Sequence, residues 1–134
     1  MMKGNEIALT ADIVVQRADE FLFVRRKYPP FQNELALPGG FVETDETVEE
    51  AACRELREET GIAVQPRQLR LIGVFSAVHR DPRGRVVSIA YHCVVKPDTE
   101  ANAGDDAKET HWFSRQAACD EELAFDHQAI LEAI

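Results

Sequence analysis

The sequence predicts an α/β domain: a mixed β-sheet with α-helices packed on it. Three observations carry that expectation. Runs of β-branched and aromatic residues recur in pairs, one strongly capped helical segment lies between them, and the chain has 134 residues, enough for a single core and too few for two. Helices interspersed among hairpins imply a mixed sheet. Residues 1–134 are therefore read as one domain.

Ile7 to Gln16 and Phe21 to Arg25, separated by "RADE", read as a β-hairpin. In "KYPPFQNELALPGG", Pro29, Pro30, Pro38, Gly39 and Gly40 interrupt any long element, which predicts a loop, a short strand and a tight turn. Thr47 to Thr60 is helical: Thr47 with Glu50 has the form of a capping box, and Gly61 supplies a left-handed stop. Leu69 to Val78 and Arg85 to Val95 are expected as two strands joined by "HRDPRG", and Thr110 to Phe113 as another short one. A last helix is expected over Asp126 to Ile134, with Asp126 as its N-cap. The sequence contains no internal repeat, low-complexity tract or linker.

A formal charge of -9 repels nucleic-acid backbones and anionic membranes alike, so neither is an expected partner. A phosphate-bearing ligand then needs local help from arginine or metal. Cys53, Cys93 and Cys119 form no CxxC pair and an odd set, which fits reduced thiols and a cytoplasmic location. No stretch is apolar enough for a signal peptide or a membrane span.

The helical segment is unusual in where it puts acid. At 100° per residue from Val48, Glu58 falls near about 280°, Ala51 about 300°, Glu55 about 340°, Glu59 about 20° and Ala52 about 40°. The three carboxylates thus share the side marked as inward by small apolar residues, whereas Glu49, Glu50 and Arg57 face solvent. Acids crowded at such spacing repel one another, and burying even one unpaired charge costs several kcal/mol. Arg54 flanks the cluster, but one guanidinium cannot balance three acids. A hard cation can: Mg²⁺, with Mn²⁺ as a substitute, prefers carboxylate and water oxygens. No compact His or Cys set points to structural zinc.

The same region spells G-x5-E-x7-R-E-U-x-E-E-x-G-U, with U aliphatic, through Gly40, Glu46, Arg54, Glu55, Leu56, Glu58, Glu59, Gly61 and Ile62. A chance match to so many defined positions has odds below about one in a million. The pattern resembles the full Nudix box. The resemblance implies a mixed sheet sandwiched between α-helices and hydrolysis of a nucleoside diphosphate linked to a further group. By that likeness Glu55, Glu58 and Glu59 ligate Mg²⁺ with the Gly39 carbonyl, and Glu46 braces Arg54. Water is the expected nucleophile. Its base is Glu55 or a residue of the later "AGDDAKET" loop, where Glu109 ranks above Asp105 and Asp106 because it opens the strand "THWF".

Outside the box, "YPPFQNELALPGGFVE", "RDPRGRVVSIAY", "DDAKETHWF" and "LAFDHQAIL" resemble the ADP-ribose pyrophosphatase branch of these hydrolases. The implied reaction is ADP-ribose plus water giving AMP and ribose 5-phosphate. Arg80 and Arg83 flank a Pro-Gly turn as candidate anion ligands, while Arg85 can instead begin a strand. Phe31, with Tyr28 and Phe75, is the candidate stacking surface for adenine. Leu35 and His79 depart from the usual pattern of that branch, so the base and ribose pocket can differ. Two alternatives stay open: a nucleoside triphosphate pyrophosphohydrolase, and an ADP-ribose-sensing module without turnover. A homodimer is expected by analogy only.

Overall fold

The structure, a computed structural model, describes residues 6–104 and 107–134. Strands β1 (Ala8–Arg17), β2 (Glu20–Arg26), β3 (Leu35–Ala36) and β4 (Gly39–Phe41) precede helix α1 (Val48–Thr60). A 3-10 turn at Pro66–Gln68 leads to β5 (Arg70–Phe75), β6 (Val86–Val95), β7 (Ala107–Ser114), α2 (Arg115–Cys119) and α3 (His127–Glu132). The sheet is mixed: β1 runs parallel to β6 along its whole length, and the other pairings are antiparallel.

Side chains of β1 alternate between two cores, as the period of a strand requires. Ala11, Ile13 and Val15 pack with Ala51, Ala52 and Leu56 of α1 on one face. Val14 packs with Ala118, Ile130 and Leu131 of α2 and α3 on the other. The sheet is therefore sandwiched between helices. Truncating fully buried Leu56 to Ala is expected to cost about 2–5 kcal/mol.

The hairpin of β1 and β2 is shorter than expected. The strands pair at Gln16–Phe21 and Arg17–Glu20, next to their turn. Beyond it β3 pairs with β2 at Val24 and Arg25, and β4 takes the place beside β1 at Thr10, Ala11 and Asp12, while β7 pairs along the other edge of β2. β1 and β2 thus splay apart, and a cleft opens between them.

Other boundaries also need correction. β5 ends at Phe75 rather than Val78, β7 extends beyond Thr110–Phe113 on both sides, and α2 was not anticipated. Ser114 caps α2 by accepting from the Ala117 N–H at 3.1 Å. Asp126 precedes α3 but makes no side-chain cap bond. Its carboxylate is held by Arg80, since a two-pronged charge-assisted pair outweighs a single capping bond. Among the described residues, no helix is long and apolar enough to cross a membrane.

Candidate active site

Helix α1 starts with the expected capping box, Thr47 accepting from Glu50 N–H at 3.1 Å and Glu50 accepting from Thr47 N–H at 2.8 Å. Gly61 ends it at φ 77. Ala51, Ala52, Leu56 and Thr60 are buried, so the inward direction lies at about 60° on the wheel used above. Glu55 and Glu59 stand within reach of that direction and line the cleft. Glu58 does not line it: its side chain is 48 % exposed and accepts from Arg54 at 3.2 Å. The expectation that all three acids face inward is corrected accordingly.

Arg54 organises the acidic wall. It gives two hydrogen bonds to Glu46, at 3.0 and 2.7 Å, one to Glu55 at 3.2 Å, and one to the Phe41 carbonyl at 3.0 Å. The hydrogen bond from Arg54 holds the Glu46 carboxyl below the usual carboxylate range, and Glu46 in turn raises the Arg54 guanidinium. Glu46 also accepts from Glu43 N–H at 2.9 Å, tying the turn before α1 to the helix.

Opposite the acids runs the glycine strip of β4. Gly39 N–H donates to Glu59 at 2.9 Å. A Cβ on Gly39 would strike the Ala11 carbonyl and Asp12, and one on Gly40 would strike the Glu55 carboxylate. Only glycine lets this backbone approach the carboxylates so closely.

Cations from other elements line the cleft as well. Arg26, Arg80 and Arg83 line the same cleft, whose volume is about 410 Å³. Arg80 is almost fully buried and makes a two-pronged pair with Asp126 at 2.9 and 2.5 Å. Burial opposes its charge, but Asp126 outweighs that and raises its pKa. Arg83 is likewise paired, with Asp81 at 3.0 and 2.7 Å, and lies over the rings of Phe41 and Phe125. Burial tends to raise the Asp81 carboxyl, but Arg83 brings it below its ordinary value.

Arg26 was missed by sequence reasoning. Its Nε donates to the Pro30 carbonyl at 2.7 Å, and among the described residues no carboxylate lies within ion-pair distance of it. Burial, then Arg83, lowers its pKa, with Glu59, Asp81 and Asp12 opposing. A register shift between β2 and β7 occurs at Arg25/Arg26, and bulges of this kind re-aim a side chain. Arg26 is the middle of a basic run, Arg25–Arg26–Lys27, and nothing in that run says which of the three enters the cleft. Asp12 and His127 were missed as well; both line the cleft and are buried.

Two expected residues stand elsewhere. Glu109 pairs with Arg25 and His111, each at 2.9 Å, and does not line the cleft. It starts from the right strand, but its register opposite Arg25 gives it that partner first. Hydrogen bonds from His111, then Arg25, hold its carboxyl below the usual range. Phe31 packs behind the cleft against Phe125, ring centroids 4.7 Å apart, so the aromatic lining is Tyr28, Phe41 and Phe125. Phe75 packs against the core, Leu35 is buried, and His79 is exposed in the turn. Asp105 and Asp106 lie outside the described residues.

Among the described residues, no three acids, histidines or cysteines converge as a ready metal cage. From α1 the cleft instead receives Glu55 and Glu59, beside a glycine backbone. That donor set fits Mg²⁺ or Mn²⁺, because such ions keep several waters and take one or two carboxylates together with substrate phosphates.

Comparison with known proteins gives the family. The family model described as NUDIX domain matches residues 7–134. The chain belongs to the NUDIX family. It is 45% identical over 125 residues to an ADP-ribose pyrophosphatase of Methanocaldococcus jannaschii, covering 93% of this chain and 71% of that protein. A MutT/nudix family protein from Enterococcus faecalis superposes with TM-score 0.89 and 33% identity, over 99% of this chain and 62% of that one. A bifunctional NMN adenylyltransferase/ADP ribose pyrophosphatase from Francisella tularensis, complexed with AMP and Mn ion, gives TM-score 0.86 and 36% identity over 98% of this chain. The NUDIX chain spans 42% of that enzyme's length.

Proposed function

We propose that this protein hydrolyses ADP-ribose to AMP and ribose 5-phosphate, with Mg²⁺ as the ion and Mn²⁺ as a substitute, in the cytoplasm. The observation that carries the reading is one cleft with Glu55 and Glu59 on one wall and Arg26, Arg80 and Arg83 on the other. A pyrophosphate diester is what such walls suit: its oxygens meet cations on both sides when a metal is held by the acids. The similarity to ADP-ribose pyrophosphatases supports the same substrate.

Glu55, Glu59 and the Gly39 carbonyl would hold the ion. When bound, it neutralises pyrophosphate oxygens and lowers the pKa of water. Arg26 binds a substrate phosphate through guanidinium nitrogens that its Pro30 contact leaves available. Phe41 and Phe125, with the Arg83 guanidinium over both rings, give a planar base a surface to stack on. A water oxygen attacks phosphorus, the bridging P–O bond breaks, and the departing proton passes to Glu55. Arg54, already bonded to Glu55, keeps that carboxylate aimed at the cleft.

The test is a panel of nucleoside diphosphate derivatives and nucleoside triphosphates, assayed with and without Mg²⁺, with products identified. AMP and ribose 5-phosphate from ADP-ribose, formed only with the ion, is the expected result. Pyrophosphate release from triphosphates without ADP-ribose turnover would replace this reading with the triphosphate one. Tight ADP-ribose binding without turnover would replace it with a sensing role.

A further inference from the structure

Three consecutive residues before and at the start of α3 touch both walls of the cleft. Phe125 has φ 55, a left-handed conformation that is costly for an aromatic residue and persists only where surroundings enforce it. Its ring lies under Arg26, 5.0 Å away, and Arg83, 5.2 Å away. Asp126 takes Arg80 through both carboxylate oxygens. His127 turns the other way: its Nδ1 accepts from Leu37 N–H at 2.9 Å, at the entry to the glycine strip.

The histidine is itself fixed. Because Nδ1 accepts, the proton of the neutral ring is on Nε2, which faces Asp12 Oδ1 at 3.6 Å. The other oxygen of Asp12 accepts from the Ser88 hydroxyl. Asp12 also lies against Gly39 so closely that no Cβ fits there. Pro38 accepts from Ile13 N–H at 2.9 Å, and Gly39 donates to Glu59 at 2.9 Å. The strip Leu37–Gly40 is thus pinned from behind by His127 and Asp12 and in front by Glu59.

We infer that Phe125–Asp126–His127 is a positioning device that sets the cationic wall and the glycine strip at a fixed spacing across the cleft. Asp126 holds the arginine side and His127 the strip that faces Glu55 and Glu59. The kinetic consequence rests on the hydrolytic reading of this cleft. A shift of the strip misaligns the carboxylates with the reacting phosphate and lowers turnover, whereas loss of the Asp126–Arg80 pair frees the Phe125 ring that underlies Arg26 and Arg83 and so weakens substrate binding.

Four full-length variants test this: His127→Gln, His127→Asn, His127→Ala and Asp126→Asn. Asn can present an acceptor where Nδ1 stands, and Gln cannot. His127→Gln is expected to lower kcat about 100-fold with KM little changed, as for a misplacement of about 1 Å. His127→Asn restores most of that loss. Asp126→Asn is expected to raise KM about tenfold while kcat changes little. A merely structural role would instead move kcat and KM together, in step with the melting temperature, in all variants, and that pattern overturns the proposal.

Amide hydrogen exchange separates this from failure of the hydrolytic reading, because it needs no turnover. Leu37 and Gly39 N–H should exchange about tenfold faster in His127→Ala than in wild type, with α1 amides unchanged. Should His127→Ala not fold, the same comparison is made with His127→Gln. Unchanged exchange at Leu37 and Gly39 rejects the positioning role even if ADP-ribose is hydrolysed; faster exchange there upholds it even if ADP-ribose is not the substrate.

Discussion

The acidic wall of the cleft and its cationic wall are built in opposite ways. Glu55 and Glu59 are one helical turn apart, and their orientation follows from the capped helix that carries them. Arg26, Arg80 and Arg83 come from the end of β2 and the loop before β6, and two of them are neutralised by Asp126 and Asp81. A local element therefore fixes where the negative charge sits, while the positive charge depends on long-range partners. The difference teaches that counting arginines overstates the anion-binding capacity of a wall. What matters is which guanidinium still has donors to give.

The largest effect should come from the acidic wall. Glu59→Gln removes a cleft carboxylate, and a loss of several kcal/mol of transition-state stabilisation, about three decades in turnover, is expected at saturating Mg²⁺. Glu58→Gln should lose less, because Glu58 points at Arg54. Equal losses would mean that Glu58 swings into the cleft with the ion, and the two-carboxylate account would fail.

Next comes the cationic wall. Arg26→Ala should weaken ADP-ribose binding by about 1.5–3 kcal/mol, read as a rise in KM that exceeds any fall in kcat. Arg83→Ala should raise KM less, since Asp81 already takes two of its hydrogen bonds. The reverse order would show that paired arginines, not Arg26, hold the phosphate.

A smaller effect concerns stability and pH. Burial holds the His127 imidazole below its ordinary pKa, with Asp12 and Asp126 opposing in part. The unfolded chain therefore takes up this proton first. The stability contributed by neutral His127 is whole above the unfolded value of about 6.5 and declines as pH falls below it toward the folded value. Urea unfolding at about pH 7 and about pH 5.5 should register the decline, and His127→Asn should flatten it. An identical pH dependence in the variant would remove His127 as its source.

The smallest effect is expected at Glu109. Its partners Arg25 and His111 lie at the surface, so Glu109→Gln should leave turnover within about twofold of wild type. A collapse in turnover there would return the general base to the β7 strand.

The box shows how far sequence reasoning reached. Thr47, Glu50 and Gly61 announced the ends of α1, because capping is a matter of residues three or four positions apart. The pairing of Glu46 with Arg54, eight positions apart, came from the resemblance to the box and not from local spacing. The wheel erred at Glu58 although its neighbour Ala51 is buried as expected, because Glu58 stands at the edge of that face and its side chain reaches out to Arg54. Phe31 looked like a stacking platform until Phe125, almost a hundred positions later, came in front of it.

The sequence by itself determined the capped helix, its row of acids, the glycines that let a backbone lie against them, and the alternating strands of a mixed sheet. Each depends on neighbours within a few positions, where spacing fixes geometry. Only the tertiary structure decided which acids meet the cleft, which arginine keeps free donors, and that Asp126 and His127 serve opposite walls. Those outcomes come from competition among partners that the fold brings together across long stretches of chain, and no local spacing encodes who wins.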